Sequence, residues 1–145
     1  MQKTISIVVA IFNRKDELFE LLNSLIAQTD KDFEVIIVDD GSFVDLLPTV
    51  ETFKEMLNIQ YFKKANSGPG LSRNYGANRA KNDWLVFVDS DVIVEKDYIE
   101  NIKKNLEKKK SFSSNAQANP SVSTVLSPWT TTFDPAIHIE IPQKK

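Results

Sequence analysis

Cysteine is absent from the 145 residues, which excludes disulfide frameworks, thiolate metal sites and cysteine nucleophiles together. That absence fits a reducing compartment. Histidine occurs once, at His138; it could act as a base or complete a metal shell, and a surface position is its simpler reading. No apolar stretch reaches the roughly 18–20 residues that span a bilayer. The run from Met1 to Ile11 lacks the basic flank and small-residue cleavage site of a signal peptide. The sequence therefore points to a cytoplasmic chain, with peripheral membrane contact left open. A formal net charge of −2 supplies no broad basic field, so nucleic acid is not indicated as a partner.

What is present supports one domain with a real core. Ile5 to Ile11 is apolar and β-branched, as a strand buried on both faces should be. Asn13 can cap a following helix whose stripe is Leu18, Leu21, Leu22, Leu25 and Ile26. Phe33 to Val38 reads as a second buried strand, ending at Asp39-Asp40-Gly41-Ser42. Pro48 suits the first turn of a second helix with Val50, Phe53 and Leu57 inward. Ile59 to Phe62 is a short third strand. Asn66-Ser67-Gly68-Pro69-Gly70 is a loop signal before a helix from Leu71 to about Ala80. Trp84 to Val88 is a fourth strand, and a last helix turns Ile99, Ile102 and Leu106 inward, with Lys108 to Lys110 suiting its C-terminal dipole.

This alternation implies an α/β fold with a mostly parallel sheet flanked by helices. Ligands of such sheets sit beyond the carboxyl ends of the strands. Those ends are where polar residues gather here: Phe12-Asn13-Arg14, Asp39-Asp40, Lys63-Lys64 and Asp89-Ser90-Asp91. After Lys110 the composition changes. Residues 111–145 hold four of the six prolines, six serines and two acidic residues, Asp134 and Glu140. Ser121 to Leu126 and Ile137 to Ile141 could be short strands. The chain thus divides into residues 1–110 and a Ser/Pro-rich tail, 111–145.

Asp89 and Asp91, one residue apart after a buried strand, can converge on a hard cation completed by phosphate oxygens and water, as Mg²⁺ is usually held; Mn²⁺ accepts similar ligands. The plain alternative is a turn in which Ser90 or Asp91 bonds nearby backbone. Asp40 could accept the imide N–H of a uracil ring. Its alternative is an Asx-type turn closed by Gly41, with Ser42 capping the next helix. Phe12 could stack on a base or sit in the core, and Asn13 could touch a ligand or cap a helix, the cap being the simpler reading. In the segment to Gly76, glycines permit close backbone approach, the helix start offers N–H groups to anionic oxygens, and Arg73 supplies a fixed positive fork. It lacks the Gly-Lys-Ser/Thr ending of a Walker loop.

From about Thr4 to Leu106 these segments together resemble the family-2 glycosyltransferases. They are Ser6 to Arg14, Ser24 to Thr29, Asp32 to Ser42, the glycine-bearing stretch to Gly76, and Phe87 to Asp91. The resemblance implies the Rossmann-like GT-A fold and transfer of a sugar from a nucleotide diphosphate donor, usually with inversion. It implies that Phe12 flanks the base, Ala10 contributes backbone, Asp40 reads the base, and Arg73 contacts base or phosphates. Asn13, Gly68 and Ser90 fall in the same donor-binding set. Asp89 would hold the ribose or metal, and Asp91 would ligate Mn²⁺ or Mg²⁺ bridging the diphosphate, opposing charge on the leaving group. A UDP-sugar is the implied donor and a glycan or lipid-linked molecule the acceptor, in polysaccharide assembly at the inner membrane face.

The family also implies an acceptor-side carboxylate, often in a Glu-Asp pair, that deprotonates the acceptor hydroxyl. Nothing after Lys110 matches it, so no base is assigned and the fold reads as incomplete on the acceptor side. Two competitors follow. One is a haloacid-dehalogenase-like phosphatase with Asp89 as nucleophile and Asp91 as acid, disfavoured because its acidic pair lies upstream. The other is a non-catalytic nucleotide-sugar-binding module.

Overall fold

The computed structural model describes residues 4–82, 84–112, 131–134 and 137–140, with side chains described as far as residue 107. In chain order the elements are β1 (Ile5–Ile11), α1 (Lys15–Ile26), β2 (Phe33–Asp39), α2 (Leu47–Phe53), β3 (Ile59–Lys63), α3 (Pro69–Ala77), β4 (Trp84–Val88), α4 (Tyr98–Phe112), β5 (Thr131–Asp134) and β6 (Ile137–Glu140). The strands form one sheet in the order β3-β2-β1-β4-β6-β5. The first four run parallel; β6 pairs antiparallel with β4, and β5 pairs antiparallel with β6.

The period of two along each strand divides the core. Ile5, Ile7, Val9, Ile11, Val35 and Ile37 pack with Leu18, Leu21, Leu22 and Leu25 of α1, Val50 and Phe53 of α2, and Ile99, Ile102 and Leu106 of α4. On the other face Val8, Ile36, Val38, Leu85 and Phe87 meet Tyr75 and Ala77 of α3. Both faces are covered, as the uninterrupted apolar runs require.

Local detail departs from the sequence expectation in five places. Asn13 does not cap α1. The cap position is Arg14, without a side-chain bond, because Asn13 sits at φ 55° and its Oδ1 accepts the Phe43 N–H at 2.7 Å. Ser42 does not cap α2, whose cap position is Leu46. Leu57 is buried but lies past α2, which closes through Met56 and Leu57 N–H groups donated to the Phe53 carbonyl at 3.0 and 2.9 Å. Helix α3 begins at Pro69, whose fixed φ suits a first turn, and ends at Ala77. A tighter turn follows, with Arg79 N–H on the Gly76 carbonyl at 3.0 Å. Strand β5 was not foreseen, while the strand expected near residue 137 is present as Ile137–Glu140. Ser121 to Leu126, and Ile141, lie outside the described residues.

Two buried polar groups stitch distant segments together. Glu34, in the middle of the sheet edge opposite the strand carboxyl ends, accepts from Ser6 Oγ, from Lys81 N–H at 2.7 Å and from Gln60 Nε2 at 3.1 Å. Gln28, at the end of α1, donates to the Glu95 carbonyl at 2.6 Å and accepts the Ile99 N–H at 3.0 Å. With Thr29 N–H on the Lys96 carbonyl at 2.8 Å, it fixes the start of α4 against α1. Buried polar groups satisfied in this way define a unique packing. Among the described residues no helix is long and apolar enough to cross a membrane.

Candidate functional site

The carboxyl ends of β1, β2 and β3 are level, because Ile11 pairs with Asp39 and Asp39 with Lys63. Asp39 and Asp40, adjacent in sequence, are separated by the strand end. Asp39 is fully buried; it accepts the Ser42 N–H at 2.8 Å and the Tyr61 hydroxyl at 2.5 Å. The Ser42 bond is the Asx-type turn foreseen for this stretch. Burial and the Asp39 carboxylate both push the Tyr61 phenol upward in pKa, so it stays protonated and donates. Gly41 closes the turn at φ +81°, and a Cβ there would lie 2.9 Å from the Asn66 amide nitrogen. Both conditions demand glycine.

Asp40 points the other way, into the loop before α3. Its Oδ1 accepts Lys64 Nζ at 2.6 Å and Ser67 N–H at 2.8 Å, and its Oδ2 accepts Gly68 N–H at 2.9 Å. Asn66 Nδ2 binds the Asp40 carbonyl at 2.9 Å. Gly68 sits at φ 98°, ψ 161°, a region that is essentially glycine-only. Its N–H is committed to Asp40, so what it offers a ligand is open space: a Cβ there would meet nothing within 4 Å.

Burial alone would raise the Asp40 carboxyl. The Lys64 ammonium and the Ser67 and Gly68 N–H groups outweigh it and hold the carboxyl below its ordinary 3.8. A carboxylate depressed in the folded state stabilises the fold above its unfolded value, and that contribution disappears as pH falls through the folded value. The stability advantage of the native protein over Asp40→Asn should therefore be full above about pH 5 and shrink steadily in stronger acid. Urea unfolding midpoints measured across that range check it; a difference independent of pH would contradict the ionised, loop-bound carboxylate.

Helix α3 delivers Arg73 to the end of β4, where Nη2 meets Asp89 Oδ1 at 2.8 Å with both side chains about one-third exposed. The solvated-face alternative for Arg73 is thus replaced by a fixed ion pair. The backbone turns after Asp89, with Val92 N–H on the Asp89 carbonyl at 3.2 Å. Ser90 is buried. The Asp91 carboxylate is 58% exposed, with Arg14 Nη1 at 4.0 Å. Phe12 is not a core residue: it is 41% exposed and meets the 90% exposed Phe43 edge-to-face at 6.1 Å. Asn13 N–H donates to Ser42 Oγ at 2.9 Å, tying the end of β1 to that of β2, and Ala10 is half-buried in β1.

The structure thus joins Asp40 to Gly68, and Arg73 to Asp89, along one sheet edge. Asp89 and Asp91 are the side chains here that could hold a cation, with few protein ligands. Asp91 is exposed and weakly engaged, while Asp89 already serves Arg73. Among the described residues no third acidic, histidine or cysteine side chain joins them. That donor set suits Mg²⁺ or Mn²⁺ completed by phosphate oxygens and water. Lys64, Phe43 and Arg14 are the residues to which sequence reasoning gave no role. Lys64 and Arg14 were visible at polar strand ends, and Phe43 carried no signal, since one aromatic beside a turn is unremarkable in sequence.

Residues 6–142 match the glycosyl transferase family 2. The chain belongs to that family. An uncharacterized glycosyltransferase of Rickettsia felis is 38% identical over 96 residues, 66% of this chain and 16% of that protein. The poly(ribitol-phosphate) β-N-acetylglucosaminyltransferase TarS of Staphylococcus aureus is 38% identical over 96 residues, 63% of this chain and 17% of its own. The TarS crystal structure superposes with a TM-score of 0.74 at 25% identity, over 97% of this chain and 28% of that one. A TarS fragment in complex with UDP-GlcNAc gives 0.66 at 26% identity over 97% and 45%. A mannosyltransferase of Pyrobaculum calidifontis, in complex with GDP-Man and Mn²⁺, gives 0.71 at 20% identity over 94% and 44%, a likeness of fold. The GT-A fold is therefore that of this family-2 chain, which spans less than half the length of each of these proteins.

Proposed function

We propose that this chain binds a nucleotide-diphosphate sugar, a UDP-sugar foremost, and serves its transfer to a glycan or lipid-linked acceptor with inversion. The observation that carries the reading is the Arg73–Asp89 ion pair at 2.8 Å on the strand edge that also bears Asp40 and Asp91. It sets a guanidinium fork beside carboxylates suited to a cation, which is the charge pattern a diphosphate requires. Support for uridine comes from Asp40 as an acceptor and from the UDP-GlcNAc complex of the TarS fragment.

In this reading Phe12 and Phe43 wall the base, the backbone near Ala10 lines it, and Asp40 accepts its imide N–H. The Arg73 N–H groups not used on Asp89 face the phosphates, and Asp89 fixes the guanidinium and meets the ribose. Asp91 would hold Mg²⁺ or Mn²⁺, which supplies charge stabilisation to the departing diphosphate. Asn13 acts indirectly by locking the β1 and β2 ends, and Ser90 contributes backbone. The donor half is assigned to residues 1–110, and no acceptor-side base is assigned within the chain. A cytoplasmic setting with peripheral membrane contact belongs to the proposal and rests on the family.

Isothermal calorimetry with UDP, UDP-GlcNAc, GDP-mannose and CDP, with and without Mn²⁺, tests it. Binding of the uridine compounds, tightened by about tenfold or more with the cation, is the expected result. No binding by any of the four would reject the reading. Donor hydrolysis in the same samples separates a transferase from a binding module.

A further inference from the structure

We propose that Lys64 is a positioning residue for nucleobase recognition: its ammonium keeps the Asp40 carboxylate ionised and turned so that one acceptor position faces an imide N–H. The inference rests on the reading of Asp40 as the base-facing group.

Lys64 follows the last residue of β3, and its backbone N–H is donated to the Asp39 carbonyl at 2.9 Å. Its side chain is 15% exposed, against 50% for the neighbouring Lys63. An ammonium has three protons to donate. Those of Lys64 go to Asp40 Oδ1 at 2.6 Å, to the Ala65 carbonyl at 3.2 Å and to Ser67 Oγ. A lysine with every donor used inside the fold is a built part of the site rather than a solvated surface charge.

The groups facing Asp40 can be named element by element. Just after β3 comes Lys64; from the loop, the Ser67 and Gly68 N–H groups; from α3, the Ser72 hydroxyl, whose proton goes to the Gly68 carbonyl at 2.9 Å. On its own strand, Asp39 is turned away toward Ser42 and Tyr61, with Lys63 at 4.0 Å. Lys64 is thus the cation paired with Asp40. A carboxylate has about four acceptor positions, and these hydrogen bonds fill two on Oδ1 and one on Oδ2. The remaining position, on Oδ2, accepts most strongly while the group is ionised.

Removing one partner of a buried pair leaves the other charge uncompensated. Without Lys64 the carboxyl takes up a proton instead, and the charged acceptor becomes a weaker neutral carbonyl or an O–H. Uracil and guanine present an N–H at the ring position read here, whereas cytosine and adenine present a bare nitrogen. Selection between these two classes therefore depends on Lys64 through Asp40.

The experiment follows the ¹³C-carboxyl resonance of Asp40, assigned with Asp40→Asn, from about pH 3 to pH 8 in the native protein, Lys64→Met, Lys64→Gln and Lys64→Arg. UDP-GlcNAc affinity is measured with Mg²⁺ on the same samples; this donor has no group titrating between about pH 5 and pH 8. The native carboxylate should stay ionised through that range with flat affinity. In Lys64→Met and Lys64→Gln its midpoint should rise above the native one, and affinity should drop about tenfold from pH 8 to pH 5. Lys64→Arg should restore the flat profile. An Asp40 midpoint unmoved in both neutral variants, or pH-independent native-level affinity in either, overturns the inference. Loss of UDP-GlcNAc binding by the native protein overturns the donor-site reading instead; the two failures are distinguishable because the carboxyl titration needs no ligand.

Discussion

Asp91→Asn should abolish the cation-dependent part of nucleotide binding while leaving the fold intact. The side chain is 58% exposed and its contact with Arg14 is a long 4.0 Å, so the change in stability should stay within about 0.5 kcal/mol. The amide keeps the shape and one oxygen but loses the charge that offsets a divalent ion. Losing the cation's contribution, tenfold or about 1.4 kcal/mol, should lower UDP affinity in Mn²⁺ by about tenfold or more. Without metal, native and variant should bind alike. The comparison with Asp89→Asn is informative because that residue is committed to Arg73. Loss there should weaken binding in the absence of metal too. Titrations of both variants, with and without Mn²⁺, give four numbers, and equal metal dependence in native and Asp91→Asn would remove Asp91 from the site.

The second large effect concerns packing. Gly76→Ala should destabilise the protein although alanine favours helices by about 1 kcal/mol over glycine. A Cβ at Gly76 would stand 2.4 Å from Val8 Cγ1 and 3.1 Å from Val38 Cγ2. Both valines are buried and stiff, and β1 and β2 cannot yield without disturbing the sheet. Overpacking of this kind costs about 1–3 kcal/mol, and Gly76→Val should reach the upper end or exceed it. The urea midpoint should fall at constant slope. Shortening Val8 to alanine in the Gly76→Ala background should recover part of the loss, a coupling that a double-mutant cycle reads directly. Arg73 lies one turn before Gly76, so lifting α3 also draws the guanidinium from Asp89. Nucleotide affinity should fall together with stability, and unchanged stability in Gly76→Ala would contradict the close approach of α3 to the sheet.

The legible parts of this fold were those where one local signal decides the outcome. Strand β4 is an unbroken apolar run and β1 is apolar but for Ser6, and their ends appear where the polar residues begin. The stripe of α1 is a clean 3.6-residue repeat. What escaped depends on partners far away in sequence. Asn13 has the right chemistry for a helix cap, yet the Phe43 N–H, 30 residues on, claims its side chain. Glu34 interrupts an otherwise apolar strand, and only the folded chain supplies Ser6, Gln60 and Lys81 to hold it. Strand β5 is four residues long and sits before a proline, which hides any period. In the site, Asp40, Arg73, Asp89 and Asp91 were legible because motif spacing marks them. Lys64 stood among the polar strand ends but could not be paired with Asp40 until the register of β2 and β3 brought the two together.

The central claim is that the strand-end carboxylates and Arg73 surround one diphosphate. Amide and side-chain NMR shifts of the native protein, recorded as UDP-GlcNAc and Mg²⁺ are added, test it most directly. The account predicts coincident, saturable changes at Phe12, Asp40, Gly68, Arg73 and Asp91, with α4 and the Glu34 network undisturbed. Saturable binding that left Asp40, Arg73 and Asp91 unshifted, or moved them at different ligand concentrations, would contradict it.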